Sequence, residues 1–154
     1  MPTYDYDAVV TTAQKTCSEA GVRLTRKRQQ VLLTLLRSPT PLSAYELIDR
    51  YQDHFEENLP AMSMYRILDF LVQEKLAHKL DTTNQYLACS HITCDHAHEQ
   101  PQFLICDKCR SVREIGLGSE LINELRASVE RSGFRLHDRQ LELHGICKDC
   151  EQNA

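Results

Sequence analysis

Four cysteines in two Cys-x-x-Cys steps, Cys106-Asp107-Lys108-Cys109 and Cys147-Lys148-Asp149-Cys150, are the residues of this chain best suited to chemistry. Two thiolates at this spacing can reach one ion from a tight turn. Two such turns provide the four sulfurs of a tetrahedral structural zinc site. A zinc ribbon separates its pairs by about 15–20 residues, whereas here the whole interval from Arg110 to Ile146 intervenes. That interval reads as strand, helix and long strand, so the ion would close a small domain. Disulfides are the competing reading. The cysteines number seven, an odd count, and the chain opens without an apolar leader. Both features favour a reducing, cytoplasmic setting in which clustered thiols hold metal. No run approaches the roughly 18 apolar residues of a membrane span, so no membrane partner is expected.

A second ligand-rich run follows Ala88: Cys89, His91, Cys94, Asp95, His96, His98 and Glu99. It is too polar for a core element and joins two halves of different composition. The expected organisation is a first domain over 1–87, a metal-binding hinge over 88–101 and a second domain over 102–154. If the paired cysteines close one ion, the hinge ligands remain for another. His78 before the hinge and Glu114 after the first Cys pair could join Cys89 and a hinge histidine. A site drawing ligands from both sides of a hinge favours one arrangement of the halves, which is what a switch requires. A thiolate with imidazoles and one carboxylate suits zinc; a nitrogen/oxygen octahedral set would suit manganese or iron(II).

The elements that must position these ligands follow from hydrophobic spacing. Val9, Val10, Ala13 and Cys17 predict a helix from about Tyr4 to Glu19. Thr25 caps a second, which buries Val31, Leu32, Leu35 and Leu36. Ser43 caps a third, bearing Tyr45, Leu47, Ile48 and Tyr51. A fourth, from about Ser63 to Lys75, buries Ile67, Leu68, Leu71 and Val72, and turns Arg66, Asp69 and Gln73 outward. His78–Leu80 and Gln85–Leu87 flank a polar turn and predict a hairpin. Beyond the hinge, Phe103–Ile105 and Val112–Ile115 predict strands around the first Cys pair. Leu121, Ile122, Leu125 and Val129 predict a helix closed by Gly133. A last strand should start at Phe134, with a bulge near Asp138 that restores its apolar phase.

Three helices, a fourth whose polar face opens with Arg66, and a hairpin make a winged helix-turn-helix. The expected fold class is therefore α+β, a winged-helix DNA-binding domain followed by a small zinc-stapled α/β domain, although a winged helix can also serve as a protein-docking module. The net charge of −4 conceals an acid-free interval between Glu19 and Glu46 that holds Arg23, Arg26, Lys27, Arg28 and Arg37. The first-turn cations of the second helix oppose its dipole, so helix stability does not account for them. A basic face of this kind is what phosphate contact requires. In a winged helix the N-terminal residues of the recognition helix meet base edges, which makes Ser63, Tyr65 and Arg66 candidates for DNA contact.

Several stretches together resemble the Fur family of metal-dependent repressors, and within it the zinc uptake regulator (Zur) type. They are Val22-Arg23-Leu24-Thr25 with Arg28, Ser43 to Leu47, Tyr65 to Leu71, Phe103 to Cys109 and His144 to Cys150. The resemblance implies a homodimer joined through the second domains, with Cys106, Cys109, Cys147 and Cys150 on a structural zinc. It further implies a sensory zinc on His78, Cys89, His98 and Glu114, with His96, His91 and Cys94 as alternates, and base contacts from Tyr45 and Arg66. The implied function is zinc-responsive repression of zinc-uptake genes through a palindromic operator in double-stranded DNA. The recognition helix opens Met62-Ser63-Met64-Tyr65-Arg66 where the family usually has Pro-Thr-Val-Tyr-Arg. The competing regulators are iron and peroxide sensors, against which Cys89 argues. From another class comes a zinc-stabilised protein-binding adaptor. An enzyme is not expected, because the sensory ligand set leaves no open coordination position.

Overall fold

The computed structural model describes residues 5–93, 101–137 and 140–153. Two compact units, Met1–Cys94 and Asp95–Ala154, divide the chain.

The first unit is built from α1 (Tyr6–Glu19), α2 (Arg26–Arg37), α3 (Ala44–Phe55), α4 (Ala61–Gln73), β1 (Ala77–Leu80) and β2 (Gln85–Ala88). Each helix start has a local cause. Thr25 accepts the Arg28 amide at α2, and Ser43 forms a complete capping box with Glu46 at α3. Helix α1 ends on Gly21 at φ 76°, with Val22 donating back to the Cys17 carbonyl. The core gathers Ala13 and Cys17 of α1, Val31, Leu32 and Leu35 of α2, Leu47 and Tyr51 of α3, and Met64, Leu68 and Leu71 of α4. Cys17 is a core residue, and burial pushes its thiol pKa up. The Tyr51 hydroxyl donates to Gln30 Oε1 at 2.8 Å inside this core, which satisfies two polar groups that would otherwise be costly to bury.

Helix α4 begins and ends two residues earlier than the expected Ser63–Lys75. Pro60, extended at ψ 148°, is its N-cap, and the Pro60 carbonyl accepts the Met64 amide. At the other end Lys75 turns left-handed at φ 59°, and Leu76 donates to the Leu71 carbonyl, which closes the last turn. The hairpin pairs β1 and β2 in register from Ala77↔Ala88 to Leu80↔Gln85. Leu42, between α2 and α3, exchanges both backbone bonds with Tyr86, so the wing is stitched to the helical body.

The second unit carries β3 (Pro101–Cys106), β4 (Val112–Gly116), α5 (Ser119–Arg131), β5 (Glu142–Gly145) and α6 (Lys148–Gln152). Its sheet runs β4-β3-β5, antiparallel on the β4 side and parallel on the β5 side. One sequence expectation is corrected here. The last strand does not begin at Phe134: residues 134–137 are irregular, and β5 has only four residues. Strand β3 gives it no longer template. Its β5-facing register starts at Phe103, and the buried Gln102 side chain accepts the Leu141 amide where the ladder stops. The expected bulge at Asp138 lies outside the described residues. The short helix α6 begins with the Cys147 carbonyl accepting from Glu151, and no apolar spacing marks it.

Candidate metal centre and nucleic-acid interface

The first Cys pair sits where β3 runs out. Cys106 is the last residue of β3, and the chain turns back through a left-handed Arg110 at φ 61° while the Arg110 amide donates to the Cys106 carbonyl. The second pair follows β5 directly, with Cys147 at the N-cap of α6 and Cys150 within it. Because β5 lies parallel beside β3, both strands deliver their cysteines to the same end of the sheet. The four sulfurs lie within 4.8 Å of one another. Zinc–sulfur bonds of about 2.3 Å in a tetrahedron set sulfur–sulfur separations near ~3.8 Å; Cys109 Sγ and Cys147 Sγ are 3.8 Å apart. None of the described cysteines forms a disulfide. Donor type, number and spacing therefore fit a tetrahedral thiolate-bound ion.

The electrostatics point the same way. Backbone amides of Cys109 and then Cys147 lower the Cys106 thiol pKa to about 6, and the Cys147 amide approaches Cys106 Sγ at 3.3 Å. Cys109 is lowered as well, chiefly by the Ser111 hydroxyl 3.0 Å away. Cys150, facing the other sulfurs, is pushed up to about 12, first by Cys147 and then by Cys109. Four sulfurs this close do not ionise together without a cation among them. Cysteine spacing alone gives no sign of Ser111. Its proximity to Cys109 depends on the left-handed turn at Arg110.

Of the residues expected to form a second metal site, His78 lies on β1 and Cys89 directly follows β2. The hairpin register and the Cys89 amide donating to the Leu76 carbonyl hold them side by side, with ligand atoms within 4.8 Å. Glu114 lies on β4 of the second unit, opposite Phe103 of β3. His91 is half-buried in the turn after Cys89. Cys94, His96 and His98 lie outside the described residues.

The proposed DNA-contact residues fall on one set of helix starts. Tyr45 is 67% exposed in the first turn of α3. Along α4, Met62, Arg66, Asp69 and Gln73 make an exposed stripe, with Tyr65 beside it and Ser63 half-buried. The first turn of α4 has no acidic residue and no side-chain cap, so nothing there repels a phosphate. Arg23 and Arg26 are exposed around the start of α2. Arg26 makes only a long 4.0 Å ion pair with Glu57, both well exposed, of the kind that contributes little to stability. Arg28, also expected to contact DNA, is half-buried and donates to the Arg23 carbonyl at 2.6 Å. Met62 was not among the sequence candidates. The signal for it is its place one turn before Arg66 on the same stripe.

Residues 19–152 match the model of the ferric uptake regulator family. The chain belongs to that family. It is 35% identical over 139 residues to the zinc uptake regulation protein of Escherichia coli K12, a match spanning 90% of this chain and 78% of that one. Among solved structures it is similar to a zinc uptake regulator complexed with zinc and DNA, at TM-score 0.81 and 27% identity, covering 98% of each chain. It is also similar to the holo form of XcZur, at TM-score 0.75 and 34% identity, covering 96% of this chain and 99% of that one. Within this family member, no helix among the described residues is long and apolar enough to cross a membrane.

Proposed function

We propose that this chain is a zinc-responsive transcriptional repressor that binds palindromic operator DNA as a homodimer in the cytoplasm and controls zinc-uptake genes. It is a regulator and not an enzyme. The observation that carries the reading is the half-built ligand set at the base of the wing, where His78 and Cys89 bring an imidazole and a thiol within 4.8 Å of each other on a DNA-binding unit. In this proposal Glu114 and His98, or one of its alternates His96, His91 and Cys94, complete the set from the hinge and the second unit. Cys106, Cys109, Cys147 and Cys150 hold a separate structural zinc. Zinc provides a tetrahedral centre for thiolate, imidazole and carboxylate together.

The chain's own residues do the rest. A ligand set drawn from both units can close only when those units adopt one arrangement, so ligand affinity is differential affinity for that arrangement. In the dimer, that arrangement sets the spacing between two copies of α4. The two copies then meet successive major grooves of a palindrome. Tyr45, Ser63, Tyr65 and Arg66 face base edges, and Arg23 and Arg26 face phosphates.

Support for the dimer comes from α5, which has no buried residue within the single chain although Leu121 and Leu125 share one face. An apolar stripe of this kind is normally covered.

Mobility shift with and without a chelator tests the reading. Operator affinity should fall when the sensory zinc is withdrawn while the structural zinc stays bound. Equal affinity at both zinc levels would overturn the proposal. Metal analysis of protein purified without added metal separates zinc from iron or manganese sensing.

A further inference from the structure

Among the described residues of the first unit, the large apolar or aromatic side chains left exposed are Tyr45, Met62 and Tyr65. All three stand in the first two turns of α3 and α4. The other large apolar groups described in this unit are buried or half-buried, so this exposure is local to the face proposed to meet DNA. Tyr45 and Tyr65 each carry a hydroxyl that solvent can satisfy. Met62, at 67% exposed, has no such polar handle. Its solvation gives it no reason to be there.

We propose that Met62 is a specificity-determining residue of the recognition helix, and that it reads the 5-methyl group of a thymine near the base pair contacted by Arg66. This inference rests on the operator-binding function proposed above. Met62 precedes Arg66 by four residues, which places both on one helical stripe about 6 Å apart along the axis. Base pairs stack about 3.4 Å apart, so the two side chains reach positions within about two steps of each other. The thymine methyl is the apolar feature of the major-groove edge, and apolar side chains recognise it by contact. The unbranched thioether of methionine adapts to such a methyl without demanding a single rotamer. Arg66 suits the acceptor pair of a guanine. Together the two residues specify a guanine and a thymine in one half-site, the first by hydrogen bonds and the second by shape.

The test uses the full-length, zinc-loaded chain. Operators are selected from a random duplex library, and each thymine of the selected half-site is replaced in turn by deoxyuridine, which lacks only the methyl. For the wild type, one replacement per half-site should weaken binding about fourfold, the worth of burying one methyl. Met62→Ala changes both protomers, so it should lose about the square of that factor, roughly sixteenfold, on the thymine operator and become indifferent to that replacement. Its melting curve should stay that of the wild type, because the side chain is exposed. A Met62→Ala protein that keeps the full deoxyuridine penalty at every position would overturn the assignment alone. A wild type that selects no operator would overturn both the assignment and the function on which it rests.

Discussion

The guanidinium of Arg28 lies over the ring of Phe70, 3.7 Å from its centroid. One residue belongs to α2 and the other to the recognition helix α4, so the contact, with the Arg28 bond to the Arg23 carbonyl, ties α4 to the loop before α2. A cation over an aromatic face contributes about 0.5–2 kcal/mol, more as it is desolvated, and planar guanidinium stacks better than ammonium. Arg28→Ala should therefore lower stability by about 1–2 kcal/mol in urea unfolding, and Arg28→Lys should recover only part of that. It should leave the salt dependence of operator binding unchanged. Arg23→Ala and Arg26→Ala should behave in the opposite way. Each should leave the urea midpoint nearly unchanged and reduce the slope of log affinity against log salt by about one. An Arg28→Ala variant with a reduced salt slope and unaltered stability would return Arg28 to the phosphate-contact group.

The two proposed metal sites should respond differently to loss of one thiol. Cys106 is buried at the end of β3, and its sulfur joins three others in a unit whose apolar core is small. Metal binding in such a unit is folding free energy. Cys106→Ser is expected to unfold the second unit and abolish dimerisation. Cys89 follows β2 of a unit with its own core, so Cys89→Ser should leave circular dichroism and dimer mass intact. The Cys89→Ser protein should instead bind the operator with equal, weak affinity at low and high zinc. A Cys89→Ser protein that still responds to zinc would remove Cys89 from the sensory set.

How much of this was legible in sequence depended on whether the deciding interactions were local. Thr25 and Ser43 announced their helices because a cap acts within three residues, and the Asp81–Asn84 turn announced the hairpin in the same way. The Cys-x-x-Cys steps announced a cluster because each pair is itself a local motif. Apolar spacing places α4 two residues too late at each end, since Pro60 caps its start and Lys75 closes its end in a conformation that glycine normally takes. The strand from Phe134 failed for a non-local reason: β5 is only as long as the stretch of β3 beside it, and Phe134, 73% exposed, finds no cover within the chain. The contact of Arg28 with Phe70 was likewise hidden, because it joins residues 42 positions apart.

The uncovered face of α5 makes a sharper test of the dimer than any truncation. Leu125 sits one turn after Leu121 on a helix in which no residue is fully buried within the single chain. A carboxylate placed there would be desolvated without a partner if that face is the dimer seam. Leu125→Glu should weaken dimerisation by about 3 kcal/mol or more, with the change read by sedimentation at decreasing concentration. The monomer should retain its four-sulfur zinc, because Leu125 is far in sequence from both Cys pairs. An unchanged dimer would move the seam to other exposed apolar residues of the second unit, such as Phe134, Leu104, Leu143 and Ile146.

Lys75 and Gly21 offer a matched pair for measuring what a helix end costs this fold. Both follow a helix C-cap in the left-handed region, at φ 59° and 76°, and both helices close with the same two backbone bonds to the preceding turn. The left-handed conformation costs an L side chain about 1–2 kcal/mol, whereas glycine adopts it freely. Lys75→Gly should accordingly stabilise the first unit by somewhat less, about 0.5–1 kcal/mol, since glycine also gains freedom in the unfolded chain. Gly21→Ala should destabilise it by about 1 kcal/mol. A Cβ at Gly21 would meet nothing within 4 Å, so that loss would report backbone conformation and no steric clash. Urea unfolding of both variants checks the pair. If Lys75→Gly instead destabilises, the Lys75 side chain contributes more to the turn before the wing than its left-handed backbone costs. The position of His78, three residues on, would then depend on that side chain.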